Sequence, residues 1–302
     1  MIRMADVQRF AGQSRIDISI AIQEVVLTIV LQRIYTSPLQ DRLAFKGSTA
    51  LRKLVFGASG RFSEALDFAV LSADHELVQL ELEELLVSDS DDEVSVRLVR
   101  SDVAGPGTMQ ATFQFDSPIG TGGFELDVIS SERPVLLGAV HQPPVTQSYF
   151  VGLGFPLAEV LAVRPCEMAA EKLCAIHRRS DNQNPKDLWD LWKWFAVAPP
   201  LEADIFRGLW PARLWRDEVT WRGVGWFEGL QARHFNWDRL RPLVPGGLVN
   251  PEQIVTDLKA RLRLWIDDDP DGILADCGDR RFRGRAEVDQ RIETARRLLL
   301  GQ

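Results

Sequence analysis

The chain has 302 residues, 45% hydrophobic and 26% charged, an ordinary globular balance with room for one large domain or two smaller ones. A net charge of −8 argues against a protein that coats nucleic acid, and three cysteines (Cys166, Cys174, Cys277) without metal-ligand spacing suit a reducing cytoplasm. No charged n-region followed by an apolar h-region opens the chain, so secretion is not expected.

The longest apolar run, 16–34, is broken by Asp17, Gln23, Glu24, Gln32 and Arg33. A membrane span needs roughly 20 mostly apolar residues, so the run reads as a buried amphipathic helix. Apolar spacing predicts that helix over 13–36, ending before Ser37-Pro38. Strands are expected at 43–46 and 66–71, with a helix over 49–56 between them, and a helix with Glu on its outer face follows at 75–87. Three β segments come next, 94–99, 109–115 and 124–129, with Val96/Leu98 and Ala111/Phe113/Phe115 alternating. The stretch 117–123 reads as a glycine-rich turn that sends 124–129 back antiparallel to its predecessor. Gly120-Thr121-Gly122-Gly123 is expected to be the hairpin turn; no helix follows, so it is not a dinucleotide fingerprint.

These elements make a small mixed sheet flanked by helices, an α+β arrangement. From Pro156 the character turns helical: 165–179, a loop at 180–184, then 185–196 with Asn184 as cap and Pro185 in the first turn. Further helices are expected at 251–265 and 285–300, and all nine Trp lie at or after Trp189. Domains of 1–155 and 156–302 are expected, the second mostly helical. The Trp/Arg-rich residues 201–302 could stack RNA bases, although Trp at helical spacing is more often core. His75, His141, His177 and His234 are scattered without metal-ligand spacing.

The stretch from Phe45 to Phe68 carries the chemistry. Phosphoryl and nucleotidyl transfer use two divalent ions roughly 3.5–4 Å apart. Carboxylates at i and i+2 of a strand share a face and can hold both. Asp67 is one such residue, but Ala65 stands where its companion belongs. Asp127, on the strand 124–129, is the natural further ligand, and Glu125 shares its face. Gly47-Ser48 at the start of a helix offers backbone N–H groups and a hydroxyl to phosphate oxygens, glycine allowing close approach. Lys46 and Arg52 can add positive charge.

K-G-S-T-A-L-R-K-L-V-F-G followed by R-F-S-E-A-L-D-F resembles the AbiEii/AbiGii abortive-infection toxins, including MenT-like enzymes, within the DNA polymerase β superfamily. That family usually reads G-G-T-x-L, then R-x-S-x-D-h-D. A second block, Glu167-Met168-Ala169-Ala170-Glu171-Lys172-Leu173 and then Pro185-Lys186-Asp187-Leu188-Trp189-Asp190-Leu191, resembles the family's E-K-L helix and R-D-h-x-D-L. The resemblance implies phosphate binding by Gly47 and Ser48, metal binding by Asp67, triphosphate or transition-state charge for Lys172, and an essential carboxylate at Asp187. It implies Mg²⁺ and a nucleoside triphosphate (CTP among the donors), tRNA 3′ ends as acceptor, a cognate antitoxin as partner and silencing by phosphorylation at Ser63. Ser63 could equally cap the turn into the strand. Taken singly, Asp67 could be a strand-end aspartate, Lys172 could pair with Glu167 or Glu171, and Asp187 could be a residue favoured by the helix dipole.

Ala65 departs from the pattern. An alanine binds no cation, so the chain as printed is expected to be an inactive enzyme. Either a deliberate substitution made a toxic protein expressible, or the protein is a naturally decayed pseudo-enzyme that binds nucleotide or antitoxin without catalysis. A transferase acting on a protein or small molecule is the remaining alternative.

Overall fold

The computed structural model describes residues 2–72, 74–87, 94–105, 107–130, 135–153, 155, 159–178, 184–266 and 285–301. Cys277 and loop residues 180–183 lie outside them. The chain divides into two compact units, Met1–Val163 with Pro242–Gly247, and Arg164–Arg241 with Leu248–Gln302. This division differs from one at 155/156 because the strand Val160–Val163 pairs into the first unit's sheet.

The first unit begins with α1 (Met4–Ser14) and α2 (Ile18–Tyr35), where apolar spacing alone predicts a single helix over 13–36. Arg15 adopts a left-handed conformation (φ 53°) and ends α1, and Asp17 caps α2 by accepting from Ser19 N at 2.8 Å. The helix α2 is not amphipathic. Glu24, Val25, Val26, Leu27 and Thr28 are consecutive and all buried, so it is a central helix covered on several sides. By length and composition it could cross a membrane, and most of it is buried in the protein instead.

The strands are β1 (Leu43–Lys46), β2 (Ala65–Val70), β3 (Ser95–Gly105), β4 (Thr108–Ser117), β5 (Gly120–Ile129), β6 (Ala139–Gln142) and β7 (Val160–Val163). They form one seven-stranded mixed sheet in the order β3-β4-β5-β2-β1-β7-β6. The pairs β2/β5 and β1/β7 are parallel and the others antiparallel. Between β1 and β2 run α3 (Gly47–Leu51) and a wider π-helical turn, Arg52–Phe56. After β2 comes α4 (His75–Val87), at the bounds the spacing predicts.

The hairpin between β4 and β5 is tighter than a glycine-rich turn. Ser117 pairs with Gly120, so Pro118 and Ile119 alone make the turn, and Gly120, Gly122 and Gly123 belong to β5. Sheet packing explains one of those glycines: a Cβ on Gly122 would fall 2.6 Å from Cζ of Phe115. The short helix α5 (Phe150–Leu153) follows β6.

The second unit is helical: α6 (Pro165–Arg178), α7 (Lys186–Val197), α8 (Pro200–Arg216), α9 (Gly223–Glu228), α10 (Pro251–Ile266) and α11 (Arg285–Leu299). The helix α7 starts one residue later than expected, with Pro185 at the N-cap position, and Asn184 Oδ1 just before it accepts from Lys186 N at 3.1 Å. Trp189, Trp194 and Trp210 are buried in its core, with Trp194 5.2 Å from the Phe206 ring centroid.

Candidate active site

In the first unit, sheet register brings the predicted acids together. Asp67 on β2 lies beside Asp127 on the parallel strand β5, and Ala65 lies beside Glu125. On the other side, Lys46 of β1 is paired with Asp67. Residues opposite one another, or two apart on one strand, share a face. Lys46, Ala65, Asp67, Glu125 and Asp127 therefore occupy one face of the sheet's centre.

The chain leaves β1 at Lys46 and turns directly into α3. Gly47 makes that turn with φ 77°, a conformation glycine adopts freely. A Cβ there would fall 2.6 Å from Cγ of Asp67 and nearer still to Oδ2, so the backbone of the turn abuts the carboxylate. Ser48, mostly buried, accepts a hydrogen bond from Arg61 Nη2 at 2.5 Å. Thr49 Oγ1 donates to the carbonyl of Ala65 at 2.6 Å, which fastens α3 to the start of β2. Ser63, half-buried, precedes that strand by two residues.

Arg52 does not join this group. It is 1% exposed, with Nε 3.4 Å from Glu24, Nη1 donating to the carbonyls of Gly57 and Gly60, and its guanidinium 3.6 Å above the Phe62 ring. The next residue, Lys53, donates to Glu24 at 2.8 Å and to Thr28 Oγ1 at 2.7 Å, and Tyr149 donates to Glu24 at 2.8 Å. Burial alone would raise the Glu24 carboxyl, but Lys53 and Arg52 hold it below its ordinary range. Arg52 and Lys53 thus anchor the π-turn to α2 from inside the core.

In the second unit, Lys172 on α6 reaches across to α7, with Nζ 2.9 Å from Asp187 and 3.1 Å from Asp190. Glu167 and Glu171 instead hold Arg213 of α8, at 3.0 and 3.1 Å. Lys172 and Asp187 therefore meet, in a mostly buried triad with Asp190.

Residues 29–269, which include both groups, match the family described as the nucleotidyl transferase AbiEii toxin of type IV toxin–antitoxin systems. The chain belongs to this family. Its fold is also that of solved structures. MenT4, a nucleotidyltransferase toxin from Mycobacterium tuberculosis H37Rv, superposes with a TM-score of 0.81 at 23% identity over 98% of this chain and 100% of that one. JHP933 from Helicobacter pylori gives 0.53 at 12% identity, over 83% and 94% of the two chains. No curated protein matches the sequence significantly.

An AbiEii nucleotidyltransferase uses a nucleoside triphosphate, and transfer chemistry of this kind employs divalent metal. Among the described residues no group of three His, Cys, Asp or Glu is placed to hold a metal ion. Asp67 and Asp127 supply two adjacent carboxylates, and the next position on the same face of β2 is the methyl group of Ala65. Glu125 lies beside that methyl group, and among the described residues these acids do not gather into the donor set of a two-metal centre.

Three residues receive no role from sequence, although Arg61 opens the R-F-S-E-A-L-D-F run and Asp190 lies in the second block. Asp190 follows Asp187 by three positions on a helix, so the two share a face, a spacing that could have flagged it. Glu24 is 29 residues from Lys53, and Arg61 is 13 from Ser48. No local pattern marks either pairing.

Proposed function

We propose that the active form of this AbiEii protein, with aspartate at position 65, moves a nucleoside monophosphate from an NTP onto the 3′-terminal hydroxyl of tRNA. The oxygen of that hydroxyl attacks the α-phosphorus, a new P–O bond forms, and the bond to pyrophosphate breaks. CTP is the donor we favour. A tRNA whose end is extended or blocked cannot be aminoacylated, so translation stops, which is a toxic outcome that a cognate cytoplasmic antitoxin would have to counter.

The register of Asp67 beside Asp127, with the Gly47-Ser48 turn against Asp67, carries this reading. In the active form the carboxylates at 65, 67 and 127 would share one face, next to Glu125, and offer the oxygen donors that Mg²⁺ takes. Bound there, Mg²⁺ would neutralise charge on the transferring phosphate. Gly47 and Ser48 would receive phosphate oxygens. Within the second unit, Lys172, oriented by Asp187 and Asp190, is the cation to which the family resemblance gives a triphosphate or transition-state role. A phosphate on Ser63 would add about −2 charge two residues before position 65 and repel the triphosphate.

Ala65 supports a second reading, in which this chain binds nucleotide or antitoxin and does no chemistry. The acceptor is tested by offering the Ala65→Asp protein each α-labelled NTP with Mg²⁺, alongside total tRNA, bulk protein or small hydroxyl compounds. Label confined to the tRNA 3′ end is the expected result. Label on protein or a small molecule would replace tRNA as acceptor, and no label anywhere would favour the binding protein.

A further inference from the structure

Arg61 is a buried cation next to the phosphate turn that the chemistry above leaves unused. It is 3% exposed and lies in the loop that leads into β2. Its Nη1 donates to the carbonyl of Phe62 at 3.1 Å and its Nη2 to Oγ of Ser48 at 2.5 Å. The loop around it is fixed from several directions. Phe62 N donates to Leu243 O at 2.8 Å, and the Phe62 ring underlies the Arg52 guanidinium. Gly60 is packed so closely that a Cβ would fall 2.9 Å from Cβ of Phe56 and 3.2 Å from Cα of Arg52. An arginine seated in such a frame has little rotamer freedom left to lose when a ligand arrives.

The hydrogen-bonding inventory then constrains Ser48. A serine hydroxyl has one proton and two acceptor lone pairs, whereas a guanidinium only donates. With Arg61 occupying a lone pair of Ser48 Oγ, the hydroxyl proton has to point at some other acceptor. A bond from a charged donor also polarises the hydroxyl and strengthens its own donation. The turn that carries Ser48 is pressed against the Asp67 carboxylate, whose charge opposes an incoming polyphosphate, and the same turn receives a cation through the bond from Arg61 to Ser48.

The geometry points to Arg61 as the positioning residue for the triphosphate: through its bond to Ser48 Oγ it aims and polarises that hydroxyl as a donor to a phosphate oxygen. The inference rests on reading Gly47-Ser48 as the triphosphate turn. It assigns the recognition of phosphate, and not of base or ribose, to the Arg61–Ser48 pair.

The experiment is calorimetric binding of each NTP and its parent nucleoside, with Mg²⁺, to the full chain and to Arg61→Gln, Arg61→Lys, Ser48→Ala and the Arg61→Gln/Ser48→Ala double variant. Arg61→Gln and Ser48→Ala each weaken NTP binding by about tenfold or more, with nucleoside binding unchanged. Arg61→Lys recovers part of the loss. The double variant is no worse than the poorer single one, because the two residues act as one unit. In the Ala65→Asp background, the KM for NTP rises in Arg61→Gln while the KM for acceptor does not. Additive losses, an equal loss for nucleosides, or unchanged NTP binding by Arg61→Gln would overturn the role of Arg61 alone. If neither the parent chain nor Ala65→Asp binds any NTP, the triphosphate turn falls and Arg61 falls with it. Should Arg61→Gln not fold, Arg61→Lys and Ser48→Ala decide, since loss with Ser48→Ala that spares nucleosides is required in any case.

Discussion

The backbone of Gly47 lies against the side chain of Asp67, close enough that no other residue fits at position 47 without displacing that carboxylate. Gly47 also takes a positive φ that costs an L-residue roughly 1–2 kcal/mol. Gly47→Ala is therefore expected to lower the stability of the first unit by at least about 1 kcal/mol and to weaken NTP binding as well, because Asp67 must move. Urea denaturation and calorimetry check the two effects separately. A Gly47→Ala protein of unchanged stability and affinity would mean that Asp67 is mobile and the turn does not depend on it.

Among the described residues Glu24 is the carboxylate paired with Arg52 and Lys53 in their buried cluster, each of these three residues being 1% exposed. Glu24→Gln leaves two buried cations without that charge, a change of the kind that costs on the order of 3–5 kcal/mol. The sign with pH follows from the direction of the shift. Lys53 and Arg52 hold the Glu24 carboxyl below its ordinary range, so its contribution is complete above the unfolded value and is lost as pH falls through the folded one. Denaturation at neutral pH should show the full deficit of Glu24→Gln, and the gap to the parent should narrow in strong acid.

His177 is expected to make the second unit sensitive to mild acid. Its ring lies 4.6 Å from that of Trp221 and 4.3 Å from that of Trp226, and neither ring nitrogen has a hydrogen-bond partner among the described residues. Burial, with a smaller push from Arg222, lowers its pKa from 6.5 to about 3. Below pH 6.5 the unfolded chain takes up a proton that the folded one refuses, so stability falls from there down towards pH 3. At pH 5 this amounts to roughly 2 kcal/mol. His177→Phe keeps the aromatic packing and removes the titration, so its stability should change less between pH 7.5 and pH 5 than the parent's. Equal acid sensitivity in the two proteins would show that His177 is protonated in the folded state.

Much of this was legible in the sequence because the signals are local. The strand Leu43–Lys46 and the helix His75–Val87 fall where apolar spacing predicts, and the alternation of Ala111, Phe113 and Phe115 finds β4. The break between α1 and α2 was not legible, since Arg15 in a left-handed conformation is a rare choice that no residue preference announces. The glycines of 120–123 looked like a turn because glycine serves turns and close packing alike; here the Phe115 ring over Gly122 decides. Arg52 reads in sequence as positive charge available to phosphate, but the π-turn carries it inward to Glu24. Pairings such as Arg61 with Ser48 and Lys53 with Glu24 depend on how distant segments pack, and no spacing rule reaches them.

We propose that this AbiEii chain keeps its family's nucleotidyltransferase site and lacks one metal-binding carboxylate, at Ala65. The most direct measurement is transfer of α-labelled CTP to the 3′ end of tRNA by this chain and by its Ala65→Asp variant, side by side with Mg²⁺. The account predicts label from Ala65→Asp and none above background from the parent. Equal transfer by both proteins, or none by Ala65→Asp with any NTP and any acceptor, would contradict it.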